Sequence, residues 1–135
     1  MFTFESNERI MLTFRALVLV GIGGGIGSIL RYVSSWLITK NVSTNFPLAT
    51  FSVNILGCFL IGILIGIFGK QLSPNEDLKY LFITGFCGGY TTFSTFSAEN
   101  IQLIQSGNYL TPAIYIASSV LFGILAVFLG MTLVK

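Results

Sequence analysis

From residue 41 to residue 69 the chain runs for 29 residues without one charged side chain. The hydrocarbon core of a bilayer takes about 20 apolar residues of helix to cross, so this run is long enough to span one. Three further segments read the same way, at about 13–38, 76–104 and 111–134, beside the second span at 46–69. Only 9% of the residues are charged, against roughly a quarter in a water-soluble domain. Such a chain cannot cover a surface that faces water, so its solvent is lipid. The fold class expected is an all-α integral membrane protein of four transmembrane helices, forming one domain over residues 1–135.

The third span is the odd one. Residues 80–98 carry no charge, yet 85–97 read GFCGGYTTFSTFS, with three glycines, three threonines, two serines and three phenylalanines. Glycines and hydroxyls at that density favour interruption of a helix. Backbone outside helix geometry is tolerated at membrane depth only where protein or a watery cavity surrounds it. The segment therefore reads as a helix broken in mid-membrane, with the break at Gly88-Gly89 and the functional site around it. Phe93 and Phe96, three apart, share a face once helix resumes. Ser94, Thr95 and Ser97 set hydroxyls among them. An aromatic ring has a positive edge, which greets an anion, and hydroxyls add hydrogen-bond donors.

Two other spans carry polar groups where lipid disfavours them. In the second, Thr50 and Asn54 are four apart and form a polar stripe. A primary amide in mid-helix is costly without a partner, so Asn54 is either an interhelical clamp or a site residue. In the first, Arg31 lies next to Tyr32 and five residues before Trp36. It either snorkels among these aromatics to the interface or faces an aqueous vestibule and attracts anions. In the fourth, Tyr115 and Ser119 share a face and could extend the polar track, while Ser118 adds a further hydroxyl. Glu99, at the end of the charge-free run, reads as a solvated helix end.

The remaining features read as scaffolding. Gly21/Gly25, Gly23/Gly27 and Gly62/Gly66 are small-xxx-small pairs that allow helices to touch backbone to backbone. Cys58 and Cys87 sit in apolar runs as small buried residues. Pro47 suits the first turn of the second helix. Ser73-Pro74-Asn75-Glu76 reads as a capping box that starts the third helix near Pro74, with Asp77 adding favourable charge. Thr111-Pro112 reads as the cap of the fourth. Residues 1–12, with Glu5, Glu8 and Arg9, read as a short interfacial segment before a retained first helix.

The string GFCGGYTTFSTFSAE resembles the third-helix signature of the Fluc family of small fluoride channels, also called CrcB. Gly27-Ser28-Ile29-Leu30-Arg31-Tyr32 and the set Thr50, Val53, Asn54 and Gly57 resemble the family's first and second helices. The resemblance implies a fluoride channel that exports the ion passively from the cytoplasm of a bacterium across the inner membrane and lowers its toxicity. It implies that Phe93 and Phe96 are pore phenylalanines, that Asn54 lines the ion path, and that Arg31 lies near its mouth. It also implies a central structural sodium ion (Na+) bound by the backbone carbonyls of Gly88 and Thr91 and shared across an antiparallel, dual-topology homodimer.

Charge and composition bound the alternatives. A net charge of +2 gives no basic patch for nucleic acid, and the absence of histidine removes the commonest general base. No nucleophile–base pair or phosphate loop supports an enzyme. A proton-coupled multidrug exporter needs an embedded carboxylate, and the first helix holds only Arg31. A merely packing subunit would leave the hydroxyl–phenylalanine segment without a purpose. Four spans put both ends on one side, with Arg9, Arg15, Lys70, Lys79 and Lys135, against Lys40 and Arg31 on the other. That balance favours both ends in the cytoplasm.

Overall fold

The computed structural model describes residues 14–71 and 75–134. The interfacial segment expected at 1–12, Ser73, Pro74 and Lys135 lie outside the described residues. Among the described residues all regular structure is helical. Helix α1 covers Phe14–Asn41, α2 Leu48–Gly69 and α6 Leu110–Leu133. These three are long and apolar enough to cross a membrane. Between α2 and α6 the chain forms a short helix α3, Glu76–Leu78, which continues without a gap into a π-helical segment, Lys79–Cys87, and then into α4, Gly88–Tyr90. Two extended residues follow, and α5 runs over Phe93–Gln105. Helix α2 lies along α6, α1 along the π segment and α4, and α5 folds back on α6.

Few large side chains hold these helices together. Among the described residues only Tyr115 and Val53 are fully buried large side chains, while Ile29, Ile124 and Leu133 and many like them face outward, as a lipid-facing surface requires. The helices meet through glycine instead. A Cβ on Gly23 would fall on the Leu81 carbonyl oxygen, and one on Gly27 would fall on that of Phe86. Gly62 and Gly130 bring α2 and α6 together in the same way, against the carbonyls of Val127 and Phe59. In lipid, where apolar side chains gain nothing by leaving the tails, such close approach is the available source of helix affinity. Of the two glycine pairs expected to pack in α1, only Gly23/Gly27 does so. Gly21 and Gly25 have nothing within 4 Å.

The third helix is described from Glu76, two residues after the start expected near Pro74. Asn75 is its cap, with its Oδ1 accepting from the backbone N–H of Asp77 at 3.0 Å and of Leu78 at 3.4 Å. Asp77 also pairs with Arg15, which ties the first turn of this helix to the foot of α1. The Lys79–Glu76 pair at 2.9 Å is exposed and contributes little. Pro47 stands at the cap of α2 rather than in its first turn. Before α6, Asn108 supplies the cap expected of Thr111-Pro112. Its Oδ1 accepts from Thr111 N–H at 3.1 Å and its Nδ2 donates to Thr111 Oγ1 at 2.9 Å. Gly107, at φ 83°, takes the left-handed turn that lets the chain reverse there.

The break lies at Thr91-Thr92, not at Gly88-Gly89. Gly88 and Gly89 are helical, whereas Thr91 (φ −85°, ψ 158°) and Thr92 (φ −148°, ψ 119°) are extended. Gly89 serves close packing, since a Cβ there would fall on the Gly24 carbonyl. The threonines are β-branched and prefer extended backbone. Thr92 then caps α5, its Oγ1 accepting from Thr95 N–H at 3.2 Å. Because Gly23 meets backbone, Gly23→Val should separate α1 from the π segment and cost about 1–3 kcal/mol or more through overpacking. Gly21→Ala, which meets open space, should cost nothing measurable. Thermal unfolding of the detergent-solubilised protein separates the two.

Candidate functional site

The break is held by one side chain from another helix. Asn54 of α2 accepts from the Thr92 N–H through Oδ1 at 2.8 Å and donates through Nδ2 to the Thr92 carbonyl at 3.0 Å. Both backbone groups of a residue outside helix geometry are thereby satisfied by one amide. The clamp and site readings of Asn54 meet here, because one Nδ2 hydrogen remains beyond the clamp and Asn54 also lines a groove.

A second node lies nearly two turns into α5. Glu99 is not a solvated helix end. It sits in mid-helix, half-buried, and both its carboxylate oxygens accept hydrogen bonds. Thr50 Oγ1 donates to Oε1 at 2.7 Å and Tyr115 Oη donates to Oε2 at 2.9 Å. Three helices thus converge on one carboxylate. Tyr115 is the hub of an aromatic group, with Phe96 edge-to-face at 4.8 Å and Phe46 at 5.2 Å. Phe93 lies 5.7 Å from Phe96 and is 79% exposed. Sequence reasoning missed the role of Glu99. Its partners are remote in sequence, and the only local signal was a lone acid adjoining a charge-free run.

Two cavities flank the break. One is a groove of about 560 Å³ lined by apolar atoms and by Asn54, Gly88, Thr91, Phe93, Phe96 and Ser119. The other, about 280 Å³, is lined by Ser28, Arg31, Tyr32, Ser35, Thr50, Thr92 and Thr95. Thr92 borders both. The structure therefore brings together Thr50, Asn54, Phe93, Phe96, Thr95, Ser119 and Arg31 around one residue. It does not bring Ser94 or Tyr115 to either cavity wall. Ser94 is exposed with its hydroxyl 3.4 Å from that of Thr92, and Tyr115 is wholly buried behind Phe96. Ser119 keeps its hydroxyl buried and, among the described residues, without a hydrogen-bond partner. Asn100, which the sequence reading passed over, donates to the Phe96 carbonyl at 2.8 Å and buries an unpartnered Oδ1. Cys58 and Cys87 are free thiols, half-buried and buried.

The break also frees two carbonyls. Thr92 N–H goes to Asn54 instead of the Gly88 carbonyl four residues earlier, and Thr95 N–H goes to Thr92 Oγ1 instead of the Thr91 carbonyl. Carbonyl oxygens released in this way are hard ligands that suit a hard monovalent cation. Gly88 is exposed and open space surrounds its α-carbon. The donor set fits a sodium ion in kind. Two carbonyls are too few to enclose one.

The model of one protein family, described as CrcB-like protein, Camphor Resistance (CrcB), matches residues 18–131. This chain belongs to the CrcB family. Relatives named "Fluoride-specific ion channel FluC" include one from Azobacteroides pseudotrichonymphae, 54% identical over 90% of this chain and 97% of the relative. One from Flavobacterium psychrophilum is 48% identical over 90% of this chain and 98% of the relative. One from Phocaeicola vulgatus is 47% identical over 87% of this chain and 96% of the relative. The CrcB match covers both cavities and the break. A family whose members bear the name of a channel is not an enzyme family, and three apolar spans make this member a multi-pass membrane protein of bacterial type.

Within the CrcB chain the Asn54 clamp can be tested alone. Asn54→Leu keeps the volume but leaves the Thr92 N–H and carbonyl unpaired in lipid. The expected cost is about 1–3 kcal/mol for each buried orphan. It should appear as a lowered midpoint of thermal unfolding and as faster amide exchange at Thr92.

Proposed function

We propose that the chain is one subunit of a fluoride-selective channel that lets fluoride leave the cytoplasm down its gradient and so lowers its toxicity. The observation that carries this reading is Thr92, the clamped break residue, standing between a polar cavity and an aromatic groove. The name borne by the relatives supports fluoride as the ion.

Arg31 draws anions into the polar cavity, where hydroxyls of Thr50 and Thr95 line the way inward. Beyond the break, the spare Nδ2 hydrogen of Asn54, the free Ser119 hydroxyl and the rims of Phe93 and Phe96 replace the water of a small, strongly hydrated anion. Glu99 competes with the ion. While Thr50 and Tyr115 donate to its carboxylate, those hydrogens are withheld from fluoride. An anion that takes one of them must displace a carboxylate oxygen. No histidine is present to relay protons, which suits conduction rather than coupled pumping.

The groove is open on one side, and Phe93 and Gly88 are exposed in it. A second, antiparallel copy would close that wall and double the carbonyl set of Gly88 and Thr91. Sodium held by those carbonyls would supply a fixed positive charge at the joint. The dimer and its sodium rest on this open wall and on the freed carbonyls.

Proteoliposomes carrying the purified chain should release fluoride, read with a fluoride electrode, and retain chloride. Equal release of both ions would end the selectivity claim. Phe96→Ile and Phe93→Ile should slow fluoride release about tenfold or more, as the loss of a few favourable ring contacts implies. Asn54→Asp should do so too by placing an anion in the path. Separately, replacing sodium in the buffer by a bulky organic cation should lower the melting temperature of the dimer.

A further inference from the structure

The cavity around Arg31 is larger than fluoride needs. At about 280 Å³ it has room for about nine waters at roughly 30 Å³ each. Its one charged wall is a guanidinium. Among the described residues Arg31 forms no ion pair, since Arg15 and Lys79 take the two carboxylates of Asp77 and Glu76. The third cation on this helix, Lys40, is drawn over the Trp36 ring at 4.8 Å. Among the described residues, the carboxylate of Glu99 does not line the cavity and is capped by the hydroxyl of Thr50, which does. The other lining residues, Ser28, Tyr32, Ser35, Thr92 and Thr95, each bring a hydroxyl on an otherwise apolar wall. Those of Tyr32 and Ser35 are engaged by no hydrogen bond given among the described residues, while Ser28 reaches the Gly89 carbonyl at a long 3.4 Å.

A planar fork of donors ringed by hydroxyls matches a tetrahedral oxyanion better than a small spherical ion, because it can bond two oxygens at once. We infer that this cavity binds the oxyanion of a phosphate group and that an occupant there obstructs fluoride entry. This rests on the channel reading for its effect on flux but not for the binding itself.

The test uses the full chain in vesicles of an uncharged galactolipid, which carries no phosphate. Inorganic phosphate in the millimolar range should slow fluoride release, less so as fluoride rises, whereas chloride at equal ionic strength should not. Arg31→Lys should weaken phosphate about tenfold, the loss of one charge-assisted bond of the fork, judged as fractional slowing within each variant. Tyr32→Phe and Ser35→Ala, which disturb the fold less, should weaken it severalfold. Vesicles of anionic phosphatidylglycerol give the second source: release already slow there without added phosphate, and restored in the galactolipid, would assign the occupant to a lipid headgroup. Equal slowing by chloride, or unchanged phosphate sensitivity in all three variants, would overturn the inference. If no fluoride is released at all, the channel reading fails instead. Calorimetric titration of phosphate into detergent-solubilised protein then decides the site, with Arg31-dependent binding expected and none observed sinking it.

Discussion

The whole arrangement depends on a side-chain amide that satisfies the backbone of a residue outside helix geometry. Lipid offers no water to an orphaned N–H or carbonyl, and each would cost about 1–3 kcal/mol in a buried setting. Asn54 removes both costs at Thr92 with two bonds near 3 Å. Once those are met, the helix can stop at Tyr90 and restart at Phe93. Everything placed by the restart follows, including the direction of Phe93 and Phe96, the position of Glu99 and the release of the Gly88 and Thr91 carbonyls.

Thin helices make this possible. Where Gly23 and Gly27 of α1 meet Leu81 and Phe86, backbone touches backbone, and there is no layer of side chains to absorb a change in volume. The helix pair is therefore defined by shape rather than by hydrophobic gain. This rigidity surrounds a small polar centre in which Thr50, Glu99 and Tyr115 belong to three helices.

Much of this was legible before the structure. Charge-free runs gave the spans, the spacing of Thr50 and Asn54 gave the stripe, and the hydroxyl-rich segment gave a break. The break was misplaced by three residues for a physical reason. Glycine breaks helices in water because it exposes backbone and gains freedom, but in lipid Gly85 and Gly89 are packing surfaces and stay helical. The extended residues were the β-branched Thr91 and Thr92, whose conformation depends on Asn54 some 38 positions away in the chain. The role of Glu99 was hidden for the same reason: its partners are Thr50 and Tyr115, and nothing adjacent to it announces them. The unpaired half of α1's glycines was equally invisible, because Gly21 and Gly23 look alike until a neighbour is in place.

The π-helical stretch has a geometric consequence for anyone counting along this chain. At 3.6 residues per turn, Leu81 and Phe86 would point about 140° apart. Here both present backbone atoms to the same residue, Gly23. The wider winding between Lys79 and Cys87 slips the wheel, so that five positions do the work of one revolution. Any helical wheel drawn through the third span from its polar end will assign its lipid-facing and protein-facing sides wrongly by the time it reaches the break.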